Sequence, residues 1–118
     1  MTKTNKKYDL EDRTLIFSKQ VIQLCKKLQK ETINFKLIDQ LVRAATSIGA
    51  NYREANDALS KKDFIHRLRI SRKEAKETTY WLKLLLEANP NSQKAINSLI
   101  KETAELRNIL SAIINKSV

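Results

Sequence analysis

From Asp9 onward, apolar residues recur at alternating three- and four-residue steps, the signature of helices that each bury one stripe. The first stripe is Leu10, Thr14, Phe17, Val21, Leu24 and Leu28, and the pattern stops near Lys30. Residues 31–34 (ETIN) read as a short connection, with Asn34 a candidate N-cap. A second stripe follows from about Phe35: Ile38, Leu41, Ala45, Ile48, Tyr52, Ala55 and Leu59. Ser60 then reads as an N-cap, with Asp63 three residues on as a weak capping box. The third helix is expected over Lys61–Ala88, on Phe64, Leu68, Ser71, Ala75, Thr78, Leu82 and Leu85. NPNS, residues 89–92, stops that helix, and Asn91 or Ser92 can cap the next. A fourth helix is expected over Gln93–Asn115, with Ile96, Leu99, Ile100, Thr103, Leu106, Ile109, Leu110, Ile113 and Ile114 as its apolar residues.

Four helices of roughly 20–28 residues, each about 30–40 Å long, joined by short connections make neighbours antiparallel. The expected fold is all-α, an antiparallel up-down-up-down four-helix bundle of long helices. A chain of 118 residues suits one domain. One Gly and one Pro leave little turn chemistry for hairpins. Residues 1–8 are polar and basic and read as a flexible arm, so the bundle domain is expected over 9–118.

Charge adds a second pattern to the first. The net charge is +10, and it is uneven. Residues 1–30 hold eight Lys/Arg against three Asp/Glu, and residues 61–83 again eight against three. Residues 31–60 hold three against four, and residues 84–118 four against three. On the third helix, with the core at 0°, Lys62, His66, Arg69, Lys73, Lys76, Tyr80 and Lys83 all fall between about 100° and 200° at 100° per residue. Evenly spaced cations of this kind can neutralise successive phosphates, and Tyr80 can stack on an unpaired base. Lys19, Lys26 and Lys30 on the first helix form another basic face, which contributes to the same ligand if the two faces lie together. The bland alternative is a solvated face flanked by Glu74 and Glu77.

Residues 43–57 (RAATSIGANYREAND) break the simple picture. Arg43, Ser47, Asn51 and Glu54 fall within about 80° of one another, away from the core stripe and beside small alanines. Such a stripe fits a subunit or partner interface, or polar packing at the bundle rim, with a ligand site a lesser reading. Arg72, at the core edge of the third helix, is a candidate partner for Glu54 or another acid. Gly49 is expected to let two helices approach closely.

Several functions find no support in the residues. His66 is the one histidine and Cys25 the one cysteine, so no zinc cluster or disulfide can form within the chain. No Glu-x-x-His pair offers a di-iron site, and a single glycine excludes phosphate-cradling loops. Long bundle helices disfavour a helix-turn-helix. No catalytic residues, metal or cofactor are expected. No apolar run approaches a membrane span, and the first residues lack the apolar core of a signal peptide, so a cytoplasmic location is expected.

The run RAATSIGANYREA, followed by DFIHRLRISRKEAKETTYWL, resembles the bacterial four-helix bundle proteins encoded in 23S ribosomal RNA intervening sequences. The likeness begins at YDLEDRT, residues 8–14, and places the family's S-I-x-x-N-x-x-E core on Ser47, Ile48, Asn51 and Glu54. Where relatives often carry Pro and Gly, this chain has Gly49 and Ala55. The resemblance implies a ring-shaped homo-pentamer of bundles. It also implies kinship with the accessory variability determinant of diversity-generating retroelements, which associates with nucleic acid and a reverse transcriptase. The combined expectation is a non-enzymatic, oligomeric nucleic-acid-binding protein, RNA more than DNA. The alternative is a protein–protein adaptor or an accessory subunit of a nucleic-acid enzyme.

Overall fold

The computed structural model describes residues 9–118; the expected basic arm, residues 1–8, lies outside them. Among the described residues there are four α-helices and no strand: α1 (Leu10–Lys27), α2 (Thr32–Asn56), α3 (Lys61–Ala88) and α4 (Gln93–Ser117), with a short 3-10 turn at Pro90–Ser92 ahead of α4. Consecutive helices pack side by side, α4 closes back on α1, and α1 lies diagonally opposite α3, as α2 does α4. This is the up-down-up-down four-helix bundle that the hydrophobic pattern predicts. The 28 residues of α3 set the long dimension of a body measuring 44 × 33 × 19 Å.

The core follows the stripes closely. Phe17, Val21, Leu41, Ile48, Leu68, Leu82, Leu85, Ile96, Leu106 and Leu110 are fully buried. Each contributes about 1.5–3 kcal/mol relative to exposure. The hydroxyls buried among them all have acceptors. Thr14 donates to the Leu10 carbonyl (2.9 Å), Thr78 to Glu74 (2.7 Å) and Thr103 to Leu99 (2.7 Å), each within its own helix. Ser71 instead crosses from α3 to the Ile48 carbonyl of α2 at 2.7 Å, pinning the register of that pair. Gly49 serves the α1–α2 contact. A Cβ built there would lie 2.8 Å from Thr14 Oγ1 and 3.1 Å from Thr14 Cβ, so only glycine allows this approach.

The ends of the helices depart from the sequence pattern in three places. α1 ends at Lys27, leaving Lys30 in the connection. Glu31, not Asn34, caps α2: its carboxylate accepts from the Ile33 amide (3.0 Å) and the Asn34 amide (2.7 Å), and its charge suits a helix N-terminus. Asn34 is buried inside the helix, with a different task. Its side chain exchanges two hydrogen bonds with Asn89 (3.0 and 2.8 Å) and donates a third to the Gln29 carbonyl (2.8 Å). A buried amide, donor and acceptor at once, thus ties the α1–α2 connection to the end of α3. Lastly, α2 stops at Asn56, so Leu59 is no part of the core stripe. The chain unwinds through Asp57 and Ala58 into the extended backbone that Ser60 needs to cap α3, and Leu59 is left 101 % exposed. Ser60 Oγ accepts from the Asp63 amide at 3.0 Å, as expected. Ser92 takes the cap position of α4 without a side-chain bond.

Candidate nucleic-acid interface

The periodicity that buries Leu68, Ala75 and Leu82 turns the opposite face of α3 to solvent. Lys62, His66, Arg69, Lys73, Lys76, Tyr80 and Lys83 are all exposed. Among the described residues the ion pairs are Arg13 with Glu102 and Glu105, and Arg53 with Glu11. No cation of the α3 row is within 4.0 Å of a carboxylate; even Lys73 and Glu77, one turn apart, do not pair. The row is therefore a run of unpaired positive charge along nearly six helical turns, at roughly 3.6 residues to the turn.

The side of the row nearest α4 is not a smooth cylinder. Lys76, Thr79, Tyr80 and Lys83 meet Arg107 of α4 around a cavity of about 340 Å³, with Glu77 on its rim. Nearer the start of α3, Lys61, Lys62, Ile65 and Arg69 border a second hollow of about 330 Å³ with Val118. Tyr80 is 56 % exposed, and Trp81 packs against it edge to face, with ring centroids 5.0 Å apart at 72°. Arg107 is the member that the sequence does not reveal. It is one of four cations scattered along the fourth helix, and only the α3–α4 packing brings it to Lys76 and Lys83.

Lys19 and Lys26 do not extend this surface. They lie on the solvent side of α1, which sits diagonally across the bundle from α3, so the two basic faces point apart; Lys30 is in the connection beyond α1. Beside them, Leu15 and Ile22 are each 42 % exposed. Between α1 and α4, a cleft of about 360 Å³ is walled by Ile16, Leu24, Ala95 and Leu99, with Lys19 and Lys27 at its edge. The same seam is clamped nearer the start of α1, where Arg13 Nε and Nη2 donate to the two Glu102 oxygens at 2.7 and 2.9 Å. This two-pronged bond raises the Arg13 pKa further.

The polar stripe of α2 resolves into local bonding with one link outward. Ser47 Oγ donates to the Arg43 carbonyl (2.7 Å) and Asn51 Nδ2 to the Ser47 carbonyl (2.9 Å). Arg67 of α3, which the sequence reading passed over, donates to Asn51 Oδ1 at 3.4 Å. Its place at the edge of the α3 core stripe was the available signal. Arg43 bonds Gln40 at 3.0 Å rather than Glu54, and both Arg43 and Glu54 face solvent. Arg72 does not meet Glu54 or any other acid. It points toward α4 and donates to Ser111 Oγ at 3.3 Å, because the α2 side of α3 is filled by Ser71 and Arg67. Cys25 is half-buried, and that burial pushes its thiol up to about 11.

Among the described residues, no three His, Cys, Asp or Glu side chains cluster as metal ligands would, and no helix is long and apolar enough to cross a membrane. Residues 6–112 match the model of the 23S rRNA-intervening sequence protein family. The chain belongs to that family. A crystal structure of a protein of unknown function from the S23 ribosomal protein family of Bacteroides thetaiotaomicron VPI-5482 is similar to it, at 38 % identity and a TM-score of 0.79. The match covers 88 % of this chain and 96 % of that one. Among curated proteins none matches the chain.

Proposed function

We propose that this member of the intervening-sequence family is a non-enzymatic nucleic-acid-binding protein, acting through the α3 face and taking RNA in preference to DNA. The observation that carries the reading is the unpaired row Lys62, Arg69, Lys73, Lys76 and Lys83, exposed together on one rigid helix. Cations fixed at helical spacing contact phosphates without ordering cost in the backbone, and they read charge, not sequence. Family membership makes RNA the first polyanion to try. Filter binding against structured RNA, single-stranded DNA and duplex DNA at two salt concentrations tests it. With about five phosphates neutralised, log K should fall with log salt at a slope of about −4.5 on duplex DNA. Charge reversal at Arg69, Lys73 and Lys76 should abolish binding; retained binding refutes the reading.

Self-association is part of the same proposal. Arg43 and Glu54 on α2, and Leu15 and Ile22 on α1, face solvent without partners from the bundle core, as groups awaiting a second copy would. Light scattering should show an oligomer, a pentamer by family resemblance; a monomer at micromolar concentration contradicts it. A second reading, a protein adaptor or accessory subunit of a nucleic-acid enzyme such as a reverse transcriptase, draws on the apolar α1–α4 cleft. Recovery of one protein partner from nuclease-treated lysate, lost on Ala95→Glu at the exposed wall of the cleft, would favour it.

A further inference from the structure

From the α3–α4 cavity we infer that the protein holds an unpaired nucleotide there, with its base on Tyr80 and its phosphates between Lys76, Lys83 and Arg107. The inference rests on nucleic-acid binding as proposed above and narrows it to single-stranded or looped substrates.

Two features separate this spot from the rest of the basic row, including the hollow of similar size that Lys61, Lys62 and Arg69 form with Val118. It draws cations from two helices, so a phosphate lying between them meets positive charge on both sides. It also contains an exposed aromatic ring. Lys76, Tyr80 and Lys83 are spaced i, i+4 and i+7, which aligns them over about 10 Å of helix. Trp81 braces Tyr80 edge-on at 5.0 Å, so the ring loses little freedom when a base covers its face. Stacking needs a base with an open face, which a continuous duplex does not offer along its length. The lining carries three cations and one carboxylate, Glu77. The fork of Arg107 accepts a carboxylate as well as a phosphate, but a nucleotide also supplies a base for Tyr80 and further oxygens for the two lysines, so it uses more of the lining.

The test compares fluorescent oligouridylate, oligothymidylate of equal length and a duplex RNA, each titrated with the wild-type protein and three variants. Tyr80→Ala should weaken single-strand binding by about 5- to 100-fold, while duplex binding moves by no more than about twofold. Tyr80→Phe keeps the ring and should stay within about twofold of wild type. Glu77→Gln should tighten single-strand binding by removing the one negative group on the rim. Trp81 is the sole tryptophan and packs against Tyr80, so its fluorescence reports on the environment of that ring. Single strands should change it, and duplex should leave it unaltered. A stronger response to oligouridylate than to oligothymidylate assigns RNA as the source of the nucleotide, and the reverse assigns DNA; either sustains the inference. If wild type binds single strands but Tyr80→Ala binds them equally well, the nucleotide site is refuted while electrostatic binding stands. If wild type binds no nucleic acid at low salt, both fail. Circular dichroism of each variant checks the fold, which an exposed side chain should not disturb.

Discussion

α4 has two flanks, and they treat charge in opposite ways. Toward α1, its acids Glu102 and Glu105 face Arg13, and the ion pair closes the seam. Toward α3, it offers Arg107 to a helix already lined with lysines, and the one acid beside them, Glu77, forms no ion pair. One flank uses charge to join two helices; the other leaves charge idle with respect to folding. The difference teaches where to look for function. A charged group that a bundle needs is paired across a seam, and a charged group that it does not need is available to something else.

Breaking the joint common to both flanks should have the largest effect. Asn34 and Asn89 tie the α1–α2 connection to the one between α3 and α4. Asn34→Ala takes the donor from Asn89 Oδ1 and from the Gln29 carbonyl, leaving the Asn89 amide only its bond to the Leu85 carbonyl, and should lower unfolding free energy by about 2–3 kcal/mol in chemical denaturation. On the α1 flank, Arg13→Ala leaves Glu102 half-buried without its partner. It should cost about 1–2 kcal/mol and leave nucleic-acid affinity unchanged. Arg107→Ala is the matched opposite. Its stability should stay within about 0.5 kcal/mol of wild type while affinity drops. Equal behaviour of these two arginines would dissolve the contrast.

Gly49→Ala probes the contact of α1 with α2, on the other side of α1. The added Cβ would collide with Thr14, but alanine regains up to about 1 kcal/mol of helix propensity, so a net loss of about 1 kcal/mol is expected. Adding Thr14→Ala should recover much of it. The smallest effect is that of Cys25. Its thiol is raised from 9.0 to about 11 by burial, so the folded state favours the neutral form. Stability therefore keeps its full value below pH 9 and falls as pH rises from there through about 11, where the unfolded chain ionises the thiol more readily than the folded one. Native protein at pH 8 should alkylate far more slowly than denatured protein, because the thiolate fraction is about a hundredfold lower.

The legible part of this molecule was the part governed by period. Stripes such as Phe17–Val21–Leu24 and Leu68–Ala75–Leu82 name the buried face of each helix, and by subtraction they name the exposed cations of α3. Local chemistry was less legible where two groups compete for one task. Glu31 and Asn34 could each have capped α2, and the winner depended on Asn89, more than 50 residues away in the chain. Leu59 kept the period of a core residue, yet the turn into α3 removed it.

The sequence by itself determined four amphipathic helices, their order and the sign of the α3 face, because helical periodicity and charge are properties of near neighbours along the chain. Only the tertiary structure decided that Arg107 joins Lys76 and Lys83, that Arg72 faces Ser111, and that the lysines of α1 point away from those of α3. Each of these depends on which flank of a helix meets which neighbour, and that follows from how all four apolar stripes pack at once.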